Sequence, residues 1–203
     1  MRLGIDLDNT LIFLDKLFFQ TAVSWGWLSN YPEFDKTGVR LMLRHQHDGE
    51  HLWRELQAEI YGPSLHQAPM MDGAADFLHH CRWQGVQLFI VSHKTHFAGV
   101  GEDLYDIRST AMEWLRQQGF FLPNGFGMGE EHIFFESSRE EKIARIASLN
   151  LNFFVDDLPE VLTDPAFPPD VRRIWFNPSN RAPLAGIPSC RHWRDIERHV
   201  FGG

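Results

Sequence analysis

The chain has 203 residues, of which 43% are hydrophobic and 23% charged, the make-up of one globular domain or of one domain carrying an insertion. Nineteen Lys and Arg stand against 27 Asp and Glu, a net charge of −8, so the surface has no general attraction for nucleic-acid phosphates or anionic lipid. That excludes a nucleic-acid-coating protein and argues against polymer or membrane partners. Two cysteines, Cys81 and Cys190, are too few for a disulfide scaffold or a structural zinc cluster and fit a reducing compartment. The longest apolar runs, Leu11–Leu14 and Leu88–Val91, have four residues, where a membrane span needs about 20. The expected location is the cytoplasm.

Leu3-Gly4-Ile5 reads as a short buried strand running into Asp6. The next stretch is helical. Leu14, Leu17, Phe18, Ala22 and Trp25 share one face, Val39–Leu43 forms a shorter segment, and Leu52, Trp53, Leu56 and Ile60 make another face closed by Gly62-Pro63. Roughly 55 helical residues are too many for a loop, so residues 13–69 are expected to form an all-helical cap, with 1–12 and 70–203 as the core. Trp25, Trp27 and Trp53 are expected in that cap's core.

Asp72 is positioned to cap a helix through Ala75, Phe77, Leu78 and Cys81 that stops at Gly85. Leu88–Val91 is the second strand. Leu104, Ile107, Ala111, Trp114 and Leu115 make an apolar helical stripe ending at Gly119. Ile133–Phe135 is a strand, followed by a capping box of Ser138 and Glu141 that opens a helix through Ile143, Ile146, Ala147 and Leu149. Phe153–Val155 and Ile174–Phe176 are further strands, with a proline-rich loop over Asp164–Asp170 between them. Short strands that are apolar on both faces, alternating with helices, predict a doubly wound, Rossmann-like parallel α/β sheet.

Acids gather where the strands end. Asp6 and Asp8 point to one side of an extended chain, roughly 6.5 Å apart, and Asp156-Asp157 closes a later strand in the same manner. Carboxylates so placed repel one another unless a cation lies among them, and hard oxygen donors suit Mg²⁺. His45-x-His47 and His93-x-x-His96 lack a third ligand or a matching cysteine nearby, which rules out zinc.

The run Leu3 to Leu11, containing Asp6-x-Asp8-x-Thr10, resembles the first motif of the haloacid dehalogenase-like superfamily. The other three motifs of that family follow in order. Phe89-Ile90-Val91-Ser92 is a strand ending in serine, Lys142 stands near a helix start, and Phe153-Phe154-Val155-Asp156-Asp157 is a strand ending in acids. The helical insert also sits where the family places its first type of cap.

The resemblance implies phosphoryl transfer through an aspartyl-phosphate on Asp6, with Asp8 as general acid and then general base, Ser92 on a phosphoryl oxygen, and Lys142 offsetting charge. It implies Mg²⁺ held by Asp6, the Asp8 carbonyl, Asp156 and Asp157. Substrate contacts are expected from Thr10, Ser92, His93 and Lys94, and from Arg40 and Arg44 in the cap, although a salt-bridged outer face is the plainer reading of those arginines. Members that cleave carbon–halogen bonds lack a second acid at the place of Asp8. Its presence therefore implies a phosphatase acting on a small phosphorylated metabolite. A 5′-nucleotidase-like enzyme on nucleoside monophosphates, a phosphomutase, and a catalytically silent binding or regulatory member are the alternatives.

Overall fold

The computed structural model describes residues 1–30, 32–101 and 103–202. In chain order the elements are β1 (Arg2–Ile5), α1 (Asp15–Ser24), α2 (Lys36–Arg44), α3 (Gly49–Tyr61), α4 (Ala74–Trp83), β2 (Gln87–His93), β3 (Phe97–Val100), β4 (Asp103–Asp106) and α5 (Ile107–Gln117). There follow β5 (Ile133–Glu136), α6 (Arg139–Ser148), β6 (Phe153–Asp156), α7 (Pro159–Leu162), β7 (Arg172–Phe176), β8 (Ser189–Cys190) and α8 (Trp193–Phe201). The chain divides into two compact units, Met1–Leu11, Met70–Lys94 and Gln118–Gly203 making the first, and Ile12–Pro69 with Thr95–Gln117 the second.

The first unit is built on a six-stranded sheet in the order β5-β2-β1-β6-β7-β8, every pairing parallel. Its strands are apolar on both faces because both faces are covered. On one, Phe89, Val91, Phe154 and Trp175 pack with Ile146 of α6 and with Val161 and Leu162 of α7. On the other, Trp193 of α8 lies 5.0 Å from the Phe77 ring of α4 and 5.6 Å from the Phe176 ring of β7. Gly4 lets this packing close over the central strand, since a Cβ there would come within 2.5 Å of Leu151 and 2.6 Å of Phe154. The doubly wound fold expected from the sequence is the fold observed.

From β1 the chain moves to β2 and β5 on one side, then returns to β6 on the other side of β1 and continues to β7 and β8. The topological switch point therefore falls between β1 and β6, where an open α/β sheet forms its ligand crevice. The Asp6 amide donates to the Val155 carbonyl at 2.9 Å, carrying the ladder one residue past β1. Two ends of this unit differ in detail from the sequence reading. The Ser138 hydroxyl accepts from the Glu141 amide at 3.1 Å, and the Glu141 carboxylate answers by accepting from Ser137, one residue earlier than a standard box. Asp72 does not cap α4. Gly73 does, with a left-handed backbone at φ +78 that carries the chain into the helix with no side-chain cap bond.

The second unit is wider than residues 13–69 and is not all-helical, a correction to the expected cap. Besides α1, α2 and α3 it contains the antiparallel hairpin of β3 and β4 and helix α5. Leu104 lies in β4 and is exposed, outside the stripe in which the sequence placed it, whereas Ile107, Ala111, Trp114 and Leu115 are buried on α5 as expected. The Trp114 indole donates to the Ala68 carbonyl at 2.8 Å, tying α5 to the residues after α3. Phe18 stacks on Trp53 at 5.2 Å and meets Tyr61 edge-on at 5.8 Å, which forms this unit's core. Trp53 is buried as expected, Trp27 is half-buried and Trp25 is exposed, so the tryptophans divide. No described helix is long and apolar enough to cross a membrane.

Candidate active site

The acids and lysines singled out by sequence meet at the carboxyl edge of the first unit's sheet. Asp6 follows β1, Asp156 ends β6, and Lys142 reaches them from the first turns of α6. Its Nζ donates to Asp6 Oδ1 at 2.6 Å and to Asp156 Oδ2 at 2.7 Å. All three side chains are buried, Lys142 completely. A lysine at this place in a helix works against the macrodipole; its two carboxylate partners offset that penalty and supply the pairing that a buried ammonium requires. Asp156 Oδ1 also accepts the Leu158 amide at 2.8 Å, which orients the carboxyl group.

The electrostatics follow from crowding several acids around one cation. Burial, reinforced by Asp156 and Asp8 and opposed by Lys142, pushes the Asp6 carboxyl up to about 7. Asp156 is raised as well, chiefly by burial, with Lys142 pulling the other way. Burial alone would depress Lys142, but Asp156 and Asp6 outweigh it and hold the ammonium above its ordinary range. The site is thus short of positive charge.

One carboxylate oxygen from each of Asp6, Asp156 and Asp157 lies within 4.8 Å of the others. Three carboxylates against the single ammonium of Lys142 leave two formal negative charges. A divalent cation with oxygen preference fits both that charge and that donor set, and Mg²⁺ is such an ion. Asp157 is anchored through its backbone, its carbonyl accepting from Trp175 Nε1 at 3.1 Å and from Arg181 Nη2 at 2.6 Å. Nothing in the sequence pointed to Arg181. It lies 24 residues away in a loop with no motif, and only its contact with the acid-bearing turn reveals it.

The Asp8 side chain stands apart from the three-carboxylate group and is held by Lys94, whose Nζ lies 3.1 Å from Oδ1 and 3.0 Å from Oδ2. Lys94 is 3% exposed. The sequence suggested a loop lysine reaching a substrate; the structure shows a buried cation paired with the second motif acid. Ser92 is buried near the end of β2, level with Phe135 of β5. His93 is exposed, and its Nε2 lies 3.1 Å from the Ser137 carbonyl. Thr10 is completely buried, and its hydroxyl has no hydrogen-bond partner among the described residues.

Arg40 and Arg44 belong to α2 of the second unit. Arg44 commits its guanidinium to Glu50, with Nε 2.7 Å from Oε2 and Nη2 3.2 Å from Oε1, and the hydrogen bond from Arg44 holds Glu50 below its ordinary range. This is the salt-bridged outer face that is the plainer reading of Arg44. Arg40 is exposed on the same helix.

No family model matches the chain. Among curated proteins it is similar to a provisionally named nucleotidase of Oceanobacillus iheyensis, at 25% identity over 80% of this chain and 79% of that one. A second protein with the same provisional name, from Bacillus cereus, is 27% identical over the same shares. Among solved structures it resembles Protein Tyrosine Kinase A of Mycobacterium tuberculosis, with a TM-score of 0.62 and 16% identity over 100% of this chain and 98% of that one. It also resembles the haloacid dehalogenase-like hydrolase YfnB of Bacillus subtilis, solved with magnesium bound, with a TM-score of 0.55 and 17% identity over 100% and 98% of the two chains. A haloacid dehalogenase family hydrolase of Deinococcus radiodurans, solved with phosphate and sodium, gives a TM-score of 0.56 and 16% identity over 98% and 94%. The chain thus has the fold of haloacid dehalogenase-like hydrolases, and the residues that resemble that family's four motifs lie in order at the carboxyl edge of its sheet.

Proposed function

We propose that the chain hydrolyses small phosphate monoesters, nucleoside monophosphates first among them, with Asp6 as the nucleophile. The observation that carries this reading is the bridge of Lys142 between Asp6 and Asp156, with Asp157 beside them and a charge deficit that suits a divalent metal. The provisional nucleotidase names of the two curated relatives support the choice of nucleotides. Free, buried Cys81 and Cys190 accord with a cytoplasmic enzyme.

An Asp6 carboxylate oxygen attacks phosphorus, a P–O bond to Asp6 forms, and the ester P–O bond breaks. The leaving oxygen takes a proton from Asp8. Asp8 then accepts a proton from water, whose oxygen attacks phosphorus and releases phosphate and the Asp6 carboxylate. Lys142 keeps a fixed positive charge against Asp6 while the phosphoryl group is transferred, and Ser92 donates to a phosphoryl oxygen. Lys94 passes from Asp8 to an incoming phosphoryl oxygen, which leaves the Asp8 carboxyl able to exchange its proton with the ester. Asp6, the Asp8 carbonyl, Asp156 and Asp157 would hold Mg²⁺, which would supply charge neutralisation for the approach of carboxylate and phosphate. In this reading the second unit is the cap.

The test is phosphate release from a panel of nucleoside monophosphates and sugar phosphates, with Mg²⁺ and with a chelator present, alongside Asp6→Asn. Turnover is expected to require Mg²⁺, to be fastest on a nucleotide, and to fall by about 10³-fold or more in Asp6→Asn. Full activity in Asp6→Asn, or silence across the panel in folded, Mg²⁺-supplied protein, would overturn the reading.

A further inference from the structure

The second unit contains a cleft of about 300 Å³. Trp25, Tyr105, Glu55, Glu59 and His51 line it. Trp25 and Tyr105 are each 38% exposed, yet both rings are fixed from behind. Trp25 meets Trp27 edge-on at 4.6 Å, and Tyr105 packs so closely on Gly62 that a Cβ there would come within 2.8 Å of its ring. Glu59 receives the Ser64 hydroxyl, which anchors one of its two oxygens. Glu55 lies 3.8 Å from His51 Nε2, too far for a hydrogen bond. Among the described residues, no lysine or arginine lines the cleft.

Two aromatic rings and two carboxylates, with the His51 imidazole in place of any lysine or arginine, select strongly among ligands. A phosphate or carboxylate would be repelled. An uncharged apolar molecule would desolvate the glutamates with nothing in return. A bare divalent metal wants several oxygens in coordination reach, and among the described residues only Asp6, Asp156 and Asp157 offer that. A cation carried on carbon satisfies every wall, because the ring quadrupoles attract it and the carboxylates supply the opposite charge. We propose that this cleft binds an organic cation, a quaternary or protonated alkylamine. The proposal is independent of the hydrolase reading.

Calorimetric titration of the full chain in excess Mg²⁺, which occupies the sheet-edge carboxylates, tests it. Choline is the probe, and 3,3-dimethylbutan-1-ol, its uncharged isostere, is the control. Choline is expected to bind at one site per chain, and the alcohol about tenfold more weakly or not at all. Glu55→Gln removes a charge with little change of shape, and Trp25→Leu removes an exposed ring. Each is expected to weaken choline about fivefold or more while the melting curve stays put. Three outcomes would overturn the proposal: no choline binding, equal binding of the alcohol, or choline binding unchanged in both variants. The second would mean a merely apolar cleft and the third a cation held elsewhere.

Discussion

The two units use charge in opposite ways. At the first unit's sheet edge, Lys142 is sealed from water between Asp6 and Asp156, and Lys94 is sealed against Asp8. In the second unit, Arg44 at the end of α2 and Glu50 in the first turn of α3 form a pair of comparable length whose side chains are about half exposed. A short distance therefore says little by itself. What differs is the surrounding dielectric: removing one partner strands a buried charge in the first case and leaves a hydrated one in the second. Buried charge that folding alone does not require points to chemistry, whereas hydrated charge on a helix's outer face is ordinary surface.

Removing the cation from each pair sharpens this contrast most. Lys142→Met is expected to lower stability by about 3–5 kcal/mol, because two buried carboxylates lose their partner, and to abolish phosphate release. Chemical denaturation and the phosphate assay read the two losses separately. A smaller but still large effect is expected from Gly4→Val, about 2–3 kcal/mol, since its side chain must displace Leu151 and Phe154 over the central strand. Thr10→Val should run the other way. Its buried hydroxyl has no partner among the described residues, so the near-isosteric change is expected to stabilise by up to ~1 kcal/mol in the same denaturation experiment. Least of all is expected from Arg44→Met, whose melting temperature should stay within about one degree of the parent because the pair is screened by water. A loss from Arg44→Met to rival that from Lys142→Met would break the comparison.

Much of the first unit was legible in the sequence. Short strands apolar on both faces announce a covered parallel sheet, and Asp6, Asp156 and Lys142, each singled out in the sequence, lie within hydrogen-bond distance through the Lys142 ammonium. The pairing of Lys94 with Asp8 was not legible, because its partners are 86 residues apart and nothing local distinguishes a buried lysine from a solvated one. The second unit was read less well for a related reason. Periodicity found the buried face of α5, but it reports only that a face is buried, not which core buries it. The hairpin of β3 and β4 escaped because Phe97, Leu104 and Tyr105 are exposed and do not alternate with polar residues as a half-buried ribbon would. Trp25 escaped because helical spacing to Phe18 and Ala22 mimicked a core position one residue beyond the end of α1.

The pairing of β1 with β6 has a consequence for biosynthesis. Leu3 lies opposite Phe153, so the first strand made waits for a partner 150 residues later, roughly 8–30 s at ordinary ribosomal rates. During that interval Asp6 and Asp8 have neither Lys142 nor Asp156 beside them, and the apolar strand between β2 and its missing neighbour has an open edge. A nascent chain in that state can recruit a chaperone or pair with another strand edge, and any catalytic competence arrives only once the region from α6 to β6 has emerged.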